Sequence, residues 1–242
     1  MTKRIAMWSG PRNISTAMMR SFDSRGDTFV SDEPMYGNFL SISKLDHPLK
    51  NEIMASMVTD RPTLHKYLST FKPVRYRIWY QKQMAHHILI DDDLGWIKDL
   101  ENIFLIRDPK KVILSYVKKY NLEDESLIGF IQIKRIFDYV IKNISSSPIV
   151  IDADDILRNP QQMLSKLCKV IDVPFIESML SWKKGYRDTD GIWAPHWYDS
   201  VINSNAFNSY KENKQVLPQK YSDIYENSFK IYNQLYSCRI KI

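Results

Sequence analysis

The chain has 242 residues, 34 of them lysine or arginine against 28 aspartate or glutamate, for a formal charge of +6, and 44% of it is apolar. That length suits one generous domain, and the apolar share is that of an ordinary globular core. The basic excess fits an anionic small substrate, and no run approaches the roughly 20 apolar residues of a membrane helix.

Basic residues interleave with acidic ones, so nucleic acid is not an expected partner, and neither is a membrane. Cys168 and Cys238 are too few and too far apart for a disulfide framework; they read as buried thiols in a reducing compartment. MTKR leads straight into the first strand, with no room for a signal peptide, and the expectation is a soluble, cytoplasmic protein.

Ile5 to Trp8 is a short apolar run that predicts a buried strand. Ser9, Gly10 and Pro11 break it, and Asn13, Ser15 and Thr16 supply helix-start chemistry ahead of a helix over 16–22. Strand, tight loop and helix aim backbone N–H groups and the positive end of a helix at an anion. Arg12 sits inside that loop, so a phosphate or sulfate is the expected guest. The loop is no Walker A motif: counting from Gly10, Ser15 stands where the second glycine belongs and Thr16 where the lysine belongs.

A second strand is expected over 28–31, with Asp32 and Glu33 at its end before Pro34. Residues 35–72 read as helix broken at Pro48 and Pro62. A third strand over 76–82 ends at Lys82, followed by a helix start carrying His86 and His87. Asp91, Asp92 and Asp93 read as a turn beside Gly95 rather than a metal site. The clearest strand, 102–109, contains Arg107, and Pro109 opens a helix running to Tyr120. On it Lys111, Ser115 and Lys118 share a face opposite Ile113, Tyr116 and Tyr120.

A helix over 123–144, a fifth strand ending in Asp152, Asp154 and Asp155, and a helix with Cys168 in the core come next. The tail holds an aromatic loop, GIWAPHWYDSV, that either stacks on a ligand or packs the tail. A last helix over about 218–237 either covers the sheet or is a candidate homodimer contact. Strands alternating with helices predict an α/β fold with a mostly parallel sheet, whose ligands bind at the carboxyl ends of the strands. Four of those ends carry polar candidates: Arg12, Glu33, Lys82 and Arg107.

SGPRNIST, residues 9–16, resembles the 5′-phosphosulfate loop of the sulfotransferases. IFLIRDPKKVILSY, residues 103–116, resembles their 3′-phosphate segment, in which an arginine ends a strand and a serine follows eight residues on. IVIDADDILRNPQQMLSKLCKVIDVPF is similar to a later strand–helix segment of that family. WSGPRN with ST near the start, DEP, and a late WAPHWYDSV resemble a bacterial group of sulfotransferase-like proteins. The resemblance implies a single domain over 1–242, with a three-layer parallel sheet flanked by helices in the P-loop NTPase-like sulfotransferase fold. It also implies 3′-phosphoadenosine 5′-phosphosulfate as donor and no metal.

Carried onto this chain, Gly10, Pro11, Arg12, Asn13, Ile14, Ser15 and Thr16 would hold the 5′ end of the donor, and Arg107 and Ser115 its 3′-phosphate. Arg12 would meet the transferring group. Three departures stand out. Arg12 stands where the family's loop usually has lysine. Ile14 occupies a position where the family usually has glycine, which predicts a different curl of the backbone, and the C-terminal glycine-rich segment is not recognisable.

Transfer to a hydroxyl or amine of a small-molecule acceptor requires a base for the acceptor proton. Glu33 at a strand end is one candidate, and a neutral His86 or His87 is another. Lys82 is a candidate anion contact beside Arg12. The bland alternatives are a turn carboxylate before Pro34 and ordinary helix histidines. Competing functions are an ATP-dependent, kinase-like transferase on the same fold and a non-catalytic nucleotide-binding module.

Overall fold

In the computed structural model, which describes residues 2–43, 45 and 47–241, the first apolar run forms β1 (Lys3–Ser9) and the polar turn after it opens α1 (Ser15–Asp23). β2 (Thr28–Asp32) is followed by three helices, α2 (Tyr36–Ser43), α3 (Lys50–Ser56) and α4 (Arg61–Thr70). β3 (Ile78–Met84) leads through two 3-10 segments, Ala85–His87 and Gly95–Asp99, to β4 (Glu101–Ile106) and α5 (Pro109–Tyr116). Then come α6 (Phe130–Asn143), β5 (Ile149–Asp152), α7 (Ala153–Arg158) and α8 (Pro160–Val170). Short α9 (Ala194–Trp197) and α10 (Asp199–Ile202) precede the last helix, α11 (Ser222–Ser237).

The five strands form one parallel sheet in the order β2-β3-β1-β4-β5. Alternation along each strand explains the three layers. Ile5 and Met7 of β1, with Ile103 and Leu105 of β4, face α1, α7 and α8. Ala6 and Trp8, with Phe104 and Ile106, face the opposite layer, where α4, α5, α6 and α11 pack. All strands are parallel, so the turns after β1, β2, β3 and β4 lie along one edge of the sheet. The strands on either side of β1 are reached by crossovers running in opposite directions, which leaves a crevice at that edge.

Local differences from the sequence reading have local causes. Pro62 does not break a helix: it lies in the first turn of α4, where its missing N–H is harmless, and Asp60 caps that helix by accepting from the Thr63 amide at 3.0 Å. The helix expected over 123–144 is a 3-10 turn at Glu125–Ile128 followed by α6, with Gly129 at φ 77° between them. α5 ends at Tyr116, so Lys118 and Tyr120 lie beyond it rather than on its faces. The segment at Ala85–His87 is one 3-10 turn and not the start of a longer helix. Cys168 is buried as expected, whereas Cys238 is exposed. Among the described residues, no helix is long and apolar enough to cross a membrane.

Candidate active site

The turn after β1 carries the basic end of the site. Arg12 and Ile14 both adopt the left-handed conformation, at φ 64° and 57°. For a β-branched side chain that is a strained state, costing on the order of 1–3 kcal/mol. Ile14 therefore holds a backbone conformation that glycine reaches without strain. It is also the N-cap of α1, and no side chain caps that helix. The first amides of α1 are left facing the crevice, with the helix dipole behind them. Ser15 and Thr16 open the helix and line the same space.

The turn after β4 meets this loop directly. Ser9 and Leu105 are register partners, which sets the following residues side by side. Arg107 donates from Nη1 to the Arg12 carbonyl oxygen at 2.8 Å, and Arg12 donates from Nε to Ser115 Oγ at 2.9 Å. Ser115, expected to serve Arg107, is here the hydrogen-bond partner of Arg12. Arg107 also lies 3.9 Å from Asp154, whose main partner is Lys111 at 2.6 Å. Arg12 has no carboxylate within 4 Å among the described residues. Burial pushes its guanidinium pKa down, Tyr120 opposes that, and the like charge of Arg107 adds to it. Two adjacent guanidiniums, one of them with no carboxylate within 4 Å among the described residues, concentrate positive charge at this end of the cavity.

The ends of β2 and β3 carry the acidic part. Asp32 and Lys82 are register partners on adjacent strands, so their side chains project to the same side. Lys82 is buried and donates to Asp32 Oδ1 at 2.9 Å, Glu33 Oε1 at 2.7 Å and the Tyr198 hydroxyl at 2.5 Å. Glu33 is a third left-handed residue, at φ 46°. Burial holds its carboxyl above the usual range, against the pull of Lys82 and with the push of Asp32. Lys82 feels burial in the other direction, but the two carboxylates outweigh it and its pKa is raised.

His86 and His87 stand behind Glu33. Burial, with neighbouring histidine and lysine, lowers His86 to about 3 and His87 well below its ordinary value, so both rings are neutral. His87 Nε2 lies 3.9 Å from Glu33 Oε2. His87 is stacked between Tyr36 and Phe39, at ring separations of 4.5 and 4.8 Å. Across the opening, Trp197 stacks on Tyr120 at 4.2 Å and on His47 at 5.6 Å. The basic loops, the acidic cluster and these rings enclose one cavity of about 940 Å³, at the upper end for a small-molecule site.

A sequence-family model described as a sulfotransferase domain matches residues 3–238. The chain belongs to the sulfotransferase domain family. Two curated relatives from Arabidopsis thaliana, the branched-chain-amino-acid aminotransferase-like proteins 1 and 2, are 35% and 31% identical over 96% and 98% of this chain. The chain spans 41% and 42% of their lengths, so the activity in their names describes proteins more than twice as long. Among solved structures, the fold is similar to the sulfotransferase domain from the curacin biosynthetic pathway, with a TM-score of 0.54 at 16% identity over 98% of both chains. It is also similar to the sulfotransferase domain of the Synechococcus PCC 7002 olefin synthase, with a TM-score of 0.51 at 16% identity over 93% and 94% of the two chains. These likenesses agree with the expected fold class.

Most of the residues singled out in the sequence line this sulfotransferase-family cavity: Pro11, Arg12, Asn13, Ile14, Ser15, Thr16, Glu33, Lys82, His86, His87, Arg107 and Ser115. Gly10 does not. It lies so close to Ile128 that a Cβ there would sit 2.3 Å from the Ile128 carbonyl oxygen, so it serves the packing of the loop. Lys82 is not an open anion contact, because its ammonium is held by two carboxylates and a phenol. Asp32, at the end of β2, belongs to that buried cluster, and so does Tyr198. Asp92 and Asp93 accept from the amides of Leu89 and Gly95, both at 2.8 Å, which makes them turn groups.

Proposed function

We propose that the chain transfers a sulfuryl group from 3′-phosphoadenosine 5′-phosphosulfate to a hydroxyl or amine of a small-molecule acceptor, acting as one domain. One observation carries this reading: Arg12, with no carboxylate within 4 Å among the described residues, is joined to Arg107 at the uncapped start of α1. The 5′-phosphosulfate would rest on the loop 11–16 and the amides of α1, and the 3′-phosphate on Arg107 with Ser115. The buried Arg107 Nε has no hydrogen-bond partner, which suits a phosphate oxygen.

In the reaction, the acceptor oxygen or nitrogen forms a bond to sulfur as the bond from sulfur to the 5′-phosphate oxygen breaks. The electron pair stays on that oxygen, releasing adenosine 3′,5′-bisphosphate, and Arg12 offsets the charge that develops there. The acceptor proton passes to Glu33, with the neutral His87 beside it. Positioning and charge stabilisation supply the catalysis, as in phosphoryl transfer, and no step requires a metal.

The arginine at the end of β4 gives the test. Arg107→Ala is expected to weaken adenosine 3′,5′-bisphosphate binding at least about tenfold, the worth of one charge-assisted hydrogen bond. AMP, which lacks the 3′-phosphate, should lose much less. Calorimetry with both ligands measures the difference, and equal losses would overturn the assignment of the 3′-phosphate.

A further inference from the structure

The late aromatic segment, read from sequence as stacking surface or packing, places two donors on one buried carboxylate cluster and a third on the phenol among them. The Gly191 amide donates to Asp32 Oδ2 at 3.0 Å. The Tyr198 hydroxyl lies 2.7 and 2.8 Å from the two oxygens of Asp32, and 3.3 Å from Glu33 Oε1. The Trp193 indole donates to the Tyr198 oxygen at 3.0 Å. That oxygen thus accepts from Trp193 and Lys82, and its single proton goes to the nearer carboxylate, Asp32. Position 191 is glycine for a steric reason: a Cβ there would lie 2.1 Å from the Trp193 ring.

The donors are therefore shared unequally. Asp32 receives Lys82, Tyr198 and Gly191. Glu33 receives Lys82 on Oε1, and among the described residues no hydrogen bond reaches its Oε2. The segment is fixed from its other side too, where Asp190 pairs at 2.6 Å with Arg20 of α1, both side chains being buried.

We propose that Tyr198 is a positioning residue for the Asp32–Glu33 pair: delivered by the segment 191–198, it binds Asp32 to Lys82 and leaves Glu33 Oε2 as the atom that exchanges protons with the cavity. This rests on the reading of Glu33 as the proton acceptor only in its catalytic consequence. The groups facing the pair are Lys82 and Tyr80 from β3, His87 from the turn after it, Tyr36 from α2, and Tyr198. With one lysine for two carboxylates, the cluster depends on neutral donors to offset the remaining negative charge. A phenol removed from it shifts the pair toward taking up a proton.

The test is Tyr198→Phe, which keeps the ring and removes the hydroxyl. The protein carries ¹³C at its side-chain carboxyls, with signals assigned through Asp32→Asn and Glu33→Gln. The pair should take up its first proton at a pH about one unit higher than in the unaltered protein, the size of a lost hydrogen bond to a charged group. The acid limb of the transfer rate should move by the same amount, with binding of adenosine 3′,5′-bisphosphate unchanged. If Tyr198→Phe does not fold, Trp193→Phe, which removes the N–H on the Tyr198 oxygen, should move the midpoint in the same direction by less. A midpoint within about a fifth of a unit of the unaltered protein in a folded variant overturns the proposal. A moved midpoint with full activity in Glu33→Gln overturns the base assignment instead and leaves the role of Tyr198 standing.

Discussion

Glu33→Gln is expected to slow transfer about a thousandfold, within the range for loss of a positioned general base, while donor affinity stays within about a factor of two. The substitution keeps the shape of the side chain and its Oε1 contact with Lys82 and removes only the capacity to take a proton. The carboxyl suits that task because burial and Asp32 hold it above the usual carboxylate range, which brings its proton affinity closer to working pH. The rate is read as release of adenosine 3′,5′-bisphosphate with a small phenol as acceptor, and affinity by calorimetry. A rate within a factor of about ten would pass the role to His87, whose buried Nδ1 has no hydrogen-bond partner.

The largest effect on stability belongs to Lys82. Replacing it by methionine leaves two buried carboxylates without their cation, a change of the kind that costs about 3–5 kcal/mol. Urea unfolding should show that loss at neutral pH. Its pH dependence follows from linkage. Without Lys82 the folded protein holds a proton on the carboxylate pair more tightly than the unfolded chain does. The variant's deficit therefore shrinks as pH falls toward the ordinary carboxylate range and grows as pH rises above it. A deficit that is the same at pH 5 and pH 8 would mean that the carboxylates find other donors. Adding Asp32→Asn should recover part of the loss, because one lone negative charge then remains instead of two.

Much of this arrangement is legible in the sequence because it is local. The apolar runs at 5–8 and 103–106 alternate between two faces of a sheet, and a strand followed by a tight turn and a helix start can point only one way. Arg12 and Arg107 were placed by such local patterns, and the parallel sheet brings them together. The errors were also local: Pro62 falls in the one part of a helix that tolerates it, and Gly129 divides a stretch whose periodicity looks continuous.

What was not legible depends on long-range pairing. Lys82 reads as a free basic residue until Asp32 and Tyr198, 50 and 116 residues away, are seen to hold it. No periodicity announces that a tyrosine near the C-terminus donates to a carboxylate near the N-terminus. The one available signal was compositional: WAPHWYDSV is too rich in rings with polar tips for a surface loop, since buried tyrosine and tryptophan need partners. Ile14 is hard to read for a different reason. Its side chain argues against a left-handed backbone, and the anchored loop imposes one regardless.

The hydrogen bond from Arg107 to the backbone of Arg12 makes the two basic turns one lever. On the proposed reading, a ligand fragment that settled on either arginine would restrain the other before a second fragment arrived. Two halves of a doubly charged nucleotide, added separately, would accordingly help each other onto the protein. By the reciprocity that governs coupled sites, each half would gain from its companion by the same few-fold factor.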